Sequence, residues 1–137
     1  MKQFPFLIVV AVLLIAGACK HKPDASPSCV AGPGGNVTIV VYAEHGGVSI
    51  PNYYTHQDTA FIKFGTTTSQ GTNPANYNIY FVGSPGEDHI HCFGLKCGYY
   101  YIYRTAWDSV ASVMRYGGYG FSFSETTGDK EIHVAVN

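Results

Sequence analysis

From Asn36 onward, apolar and polar residues alternate with a period of two, the signature of strands that bury one face. Val37, Ile39 and Val41 alternate with Thr38, Val40 and Tyr42, while Ala60, Ile62 and Phe64 alternate with Phe61 and Lys63. The same pattern predicts strands over Tyr77 to Val82, His89 to Phe93, Tyr99 to Trp107, Tyr119 to Ser124 and Glu131 to Val136. Between them lie "EHGGVSIPN", "GTTTSQGTNPAN", "GSPGED", "RYGG" and "TTGDK", rich in the Gly, Pro, Asn and Asp of turns. About seven short strands at this spacing predict an all-β chain folded as a single Greek-key β-sandwich. Asp108 to Met114 is the one stretch with helical character, capped by Asp108 or Ser109, and an irregular loop fits it equally well.

The start of the chain has a different pattern. Lys2 is followed by an apolar run from Phe4 to Ile15 and then by small residues up to Cys19. This reads as a secretory signal, too short for a membrane span. Ile15-Ala16-Gly17-Ala18-Cys19 resembles the lipobox of bacterial lipoproteins, with Ala16 where that family prefers Leu. The resemblance implies cleavage before Cys19, acylation of its thiol and new amino group, and a lipid-anchored location in the bacterial cell envelope, at the outer membrane. Each buried CH₂ contributes about 0.8 kcal/mol, so several acyl chains hold durably where one is marginal. Residues 1–18 are then the signal, 19–35 the lipidated cysteine with a flexible tether rich in Pro, Ser and Gly, and 36–137 one sandwich domain.

Composition narrows the partners. The formal net charge is -1 and charged residues make up 12% of the chain, so the basic footprint of nucleic-acid binding is missing. With Cys19 lipidated, Cys29, Cys92 and Cys97 remain in an oxidising compartment, an odd number that leaves one thiol unpaired within the chain. Cys92 and Cys97 bracket a four-residue loop and are slightly preferred as the pair, and pairings with Cys29 stay open. Their spacing is not the C-x-x-C of thiol redox catalysis.

Leu95, Gly98 and Tyr100 fall at the spacing L-x-x-G-x-Y, where a tyrosine can pin a sandwich corner with its ring in the core and its hydroxyl on a backbone carbonyl. "NVTIVVYAEHGGVSIPN", "TAFIKFG", "GTNPANYN", "FGLKCGYYYIYRTAWD", "YGG" and "KEIHVAVN" together resemble, in order, the prealbumin-like sandwich, also called transthyretin-like or carboxypeptidase-regulatory-like, of small envelope lipoproteins. Family members often carry Asp at Tyr99, Gly at Ala106 and Pro or a small residue at Cys97. The resemblance implies a mostly non-catalytic module that extends, stabilises or presents other surfaces. Its hydroxyisourate hydrolase branch ends in Tyr-Arg-Gly-Ser, whereas this chain ends in Ile132-His133-Val134-Ala135-Val136-Asn137, which argues against that activity.

Other enzyme signatures are equally weak. There is no G-x-S-x-G elbow, and Glu87 and Asp88 are neighbours that strand alternation sends apart, as a solvated turn would hold them. No cofactor is expected. His89 and His91, two apart on a strand, project from one face with room for an ion between their rings. A third ligand would come from Asp88, His45, His56 or His133. The plainer reading makes the two histidines solvent-facing, with Ile90 and Cys92 inward. Tyr53, Tyr54, Tyr116 and Tyr119 flank loops and are suited to contact a protein or a glycan. Arg104, in phase with Tyr100 and Ile102, requires a carboxylate such as Asp108 or Glu44. Two readings follow: a non-catalytic binding or structural lipoprotein, and its rival, an envelope lipoprotein holding zinc or copper at His89 and His91.

Overall fold

A computed structural model describes residues 29–137. The stretch read as a signal and Cys19 lie outside them. Eight strands follow in order: β1 Pro33–His45, β2 Val48–Ser49, β3 Thr59–Phe64, β4 Ile79–Val82, β5 His89–Leu95, β6 Gly98–Asp108, β7 Val113–Phe123 and β8 Thr127–Ala135. They form two sheets. In the first, β1 is the central strand, antiparallel to β5 on one edge and parallel to β8 on the other. Glu44 pairs with both Ala135 of β8 and Ser49 of β2, so β2 takes the same edge of β1 as β5 and continues where β5 stops. The second sheet runs β4-β3-β6-β7, all antiparallel. The described residues are therefore all-β, a β-sandwich.

Alternation sets the core. Val37, Ile39, Val41 and Ala43 of β1, with Ile90 and Cys92 of β5 and Val134 of β8, line the inner face of the first sheet. Ala60, Ile62, Tyr100, Ile102 and Ala106 oppose them from the second. Each fully buried Val, Leu or Ile contributes about 1.5–3 kcal/mol through removal of apolar surface from water.

The corner at Tyr100 joins the N-terminal segment to this core. The Tyr100 hydroxyl donates to Lys96 O and accepts from Gly32 N at 3.1 Å, while Lys96 N donates to Gly32 O at 2.9 Å. Gly98 has φ +142°, and a Cβ there would meet Ala31 N at 2.5 Å. Glycine in L-x-x-G-x-Y is thus required twice, by its backbone angle and by the chain crossing it. The same crossing brings Cys29 to Cys97, Cα to Cα 5.5 Å, where they form a disulfide. This corrects the preference for Cys92 with Cys97. Cys92 sits mid-strand opposite Ile39 with its thiol in the core, and burial pushes that thiol up to about 12. The folded unit consequently includes Cys29, inside the stretch read as tether.

Two local expectations also change. Asp108 to Met114 is not helical: β6 ends at Asp108 and β7 begins at Val113. Asp108 Oδ1 accepts the N–H groups of Val110 and Ala111, both at 3.0 Å, and Oδ2 takes Arg115 Nε at 2.7 Å. The Ala111 N–H above all, then Arg115, hold this carboxyl below its usual range. "RYGG" is not a turn either, because Gly117 and Gly118 continue β7 opposite Arg104 and Tyr103.

Candidate metal centre

Three residues at alternate positions, Glu87, His89 and His91, face one way along the approach to β5 and along the strand itself. One ligand atom from each lies within 4.8 Å of the other two. His89 Nδ1 is 2.8 Å from Asp88 Oδ1, and His89 Nε2 is 3.0 Å from His91 Nε2. The first contact assigns the tautomer: an ionised Asp88 accepts, so in the neutral ring Nδ1 carries the proton and Nε2 is a bare lone pair. His91 then donates across the short nitrogen-nitrogen gap. A divalent ion bound at that point would take the place of that proton.

The dimensions suit such an ion. Two imidazole nitrogens at 2.0–2.1 Å from one metal lie about 3.3 Å apart at a tetrahedral angle and about 2.9 Å apart at a right angle. The 3.0 Å separation falls between these values. Two nitrogens and a carboxylate oxygen match the preferences of zinc and copper(II), and a carboxylate on the outer ring nitrogen is the usual orienting partner of a ligating histidine.

The backbone under the cluster is held from the core. Buried Asn52 donates its N–H to Glu87 O at 2.7 Å and its amide Nδ2 to His89 O at 2.8 Å and Ser84 O at 3.2 Å, and its carbonyl accepts from Gly86 N at 3.0 Å. Its Oδ1 accepts from Arg104 Nη2 at 2.9 Å. Arg104, fully buried, also donates to Thr105 O and feels the charge of buried Asp58. Asp58 Oδ1 in turn accepts from Trp107 N at 2.8 Å. The carboxylates expected to serve Arg104 are engaged elsewhere: Asp108 with Arg115, and Glu44 with His133 Nδ1 at 2.5 Å. A network reaching from β6 to the 84–89 turn thus fixes where two of the three candidate ligands leave the backbone.

Among the described residues, the other histidines do not reach the cluster. His133 stacks on Tyr42 at 4.8 Å, and Tyr42 separates it from His89, whose ring lies 5.3 Å beyond. His45 Nδ1 is 2.9 Å from Val136 O, and His56 stacks on Trp107 at 3.6 Å. Asp88 orients His89 instead of joining its face. The third donor, Glu87, is the residue sequence reasoning had assigned to a turn. Its signal was E-x-H-x-H, the same period of two that defined the strands. Tyr53, Tyr54, Tyr116 and Tyr119 are all exposed.

Fold and site together define a β-sandwich with a histidine and carboxylate cluster on the outer face of one sheet. Compared with known proteins, the chain matches no family model, no curated protein and no solved structure.

Proposed function

We propose that this chain is a non-catalytic binding module of the bacterial cell envelope, a Greek-key sandwich of prealbumin type anchored through lipidated Cys19, and that it binds a divalent transition-metal ion at Glu87, His89 and His91. The observation that carries the metal reading is the third ligand: Glu87 brings a carboxylate to two histidines whose Nε2 atoms already stand 3.0 Å apart. What supports an exported location is the Cys29–Cys97 disulfide, a bond that persists in oxidising compartments. The lipobox-like ending at Cys19 supports the anchor.

Calorimetric titration with zinc and with copper(II) is expected to give one site of micromolar affinity. His91→Ala and Glu87→Gln should each weaken it by about tenfold or more, as loss of one of three ligands implies. No heat with either metal ends the reading. The anchor has its own measurement: labelled palmitate is expected in the wild type and absent from Cys19→Ser, and equal labelling of both removes the anchor from the account.

A further inference from the structure

We propose that the outer face of the second sheet is a binding site for neutral glycans, separate from the metal cluster. A row of aromatic rings crosses all four strands there. Tyr80 of β4, Phe61 of β3 and Tyr103 of β6 are in cross-strand register, and Tyr116 of β7 lies next to Tyr103. Their ring centroids follow one another at 6.1, 6.0 and 6.3 Å, the last pair within 4° of parallel. Tyr77 lies over the middle of the row, 6.0 Å from Phe61 and 5.9 Å from Tyr103. The end residues, Tyr80 at 65% and Tyr116 at 47% exposure, present open rings to solvent.

Two clefts open on this row. One, of about 310 Å³, lies among Phe61, Tyr77, Tyr80, Pro74 and Asn78. The other, of about 260 Å³, lies among Tyr101, Tyr103, Tyr116, Ser69, Thr72 and Gly118. Glycine shapes the second cleft: Gly118 makes room for the Tyr101 ring that lines it, and at Gly120 a Cβ would run into Thr67 O of the loop passing overhead. That loop, residues 65–78, is long for a connection between adjacent strands, a length usually reserved for function.

The loop's chemistry selects the ligand class. "GTTTSQGTNPANYN" holds four threonines and serines among its first five side chains, then Gln70, Thr72 and three asparagines, and no charged residue. Among the outward positions of the four described strands, Lys63 is the one charged residue. Neutral hydroxyl and amide groups beside exposed aromatic rings match the two surfaces of a sugar: hydroxyls around its edge and C–H groups on its face. An anionic partner would find almost no cation here. The loop is held in shape by its own hydrogen bonds. Tyr77 Oη donates to Gly71 O at 2.6 Å, Asn76 Nδ2 to Gln70 O at 2.7 Å and Gln70 Nε2 to Thr68 O at 2.9 Å, while Asn73 Oδ1 accepts from Ala75 N at 3.0 Å. Such preorganisation lowers the ordering entropy of binding a small, stiff ligand.

The test is electrophoresis of the full chain in detergent through native gels containing soluble starch, a β-1,3-glucan or a galactomannan, with alginate and heparin gels alongside. Retardation in at least one neutral gel is expected, weakened about tenfold or more in Tyr80→Ala/Tyr116→Ala, whose exposed side chains can be removed without unfolding the sandwich. A thermal melt of the variant matching the wild type verifies that the fold is intact. No retardation in any neutral gel overturns the proposal, as does retention only by alginate or heparin, or undiminished retardation of the double variant. His91→Ala should run as the wild type does, so the glycan and metal readings fail independently.

Discussion

Cys97→Ser is expected to destabilise the sandwich by about 4 kcal/mol. The Cys29–Cys97 bond closes a sequence separation of 68 residues, and the loss of loop entropy from the unfolded chain scales with the logarithm of that length, between about 3 kcal/mol for 15 residues and about 4.7 for 100. The bond also holds residues 29–32 over the corner, where Gly32 reaches both Lys96 and the Tyr100 hydroxyl. Denaturant unfolding of Cys29→Ser and Cys97→Ser should give equal losses, because either change opens the same loop. Cys92→Ala removes a small buried group and leaves the disulfide intact, so its loss should be about 1 kcal/mol. If Cys92→Ala and Cys97→Ser behaved alike while Cys29→Ser did nothing, the pairing would be the other one. Alkylation of the unfolded, unreduced domain should label Cys92 and leave Cys29 and Cys97 untouched.

The second large effect is expected at Asp58. Asp58 and Arg104 are both buried beneath the second sheet, and each retains one side-chain atom, Oδ2 and Nε, without a hydrogen-bond partner. Such a pair gains little over an apolar replacement, yet breaking it strands a charge in the core. Asp58→Ala should therefore lower stability by about 3–5 kcal/mol, as it removes the charge facing Arg104 and the acceptor for Trp107 N. Burial already pushes Arg104 down to about 10. A loss under about 1 kcal/mol in urea unfolding would mean that Asp58 does not compensate Arg104.

The pH dependence gives the same site a second signature. Burial raises the Asp58 carboxyl above its ordinary value, with the Trp107 N–H and the Arg104 charge pulling the other way. Between its unfolded value and this raised one, the folded state binds more protons than the unfolded state. This group's contribution to stability accordingly falls as pH rises through that window. Asp58→Asn keeps an acceptor for Trp107 N and should lack that limb of the profile.

Much of the architecture was legible in the chain. Strand alternation is a local property: each side chain points opposite to its neighbour whatever the strand pairs with. The period of two therefore located seven of the eight strands and put Val37, Ile39, Ile62 and Ile102 inside. It failed where glycine carries two meanings. "RYGG" has turn composition, but Gly117 and Gly118 lie within β7, where Gly118 makes room for the Tyr101 ring leaning across from β6. The short β2 escaped notice because two residues establish no period.

The site was half legible for the same reason. His89 and His91 could be placed on one face from spacing alone, and extending that spacing back to Glu87 completes the cluster. The roles of Asn52 and Arg104 beneath it had no local signal, since Asn52 reads as a turn residue and its partners lie 32 to 52 positions away.

By itself, then, the sequence determined which residues alternate inward, where most strands run, and that Tyr100 would stand at a corner. The tertiary structure decided that Cys29 is the partner of Cys97, that Arg104 answers to Asp58 and Asn52, that Glu87 is the third member of the histidine cluster, and that a neutral loop lies across an aromatic row. Each of these depends on which distant segments meet. That is governed by strand register and chain crossing, and periodicity along a single strand carries no information about it.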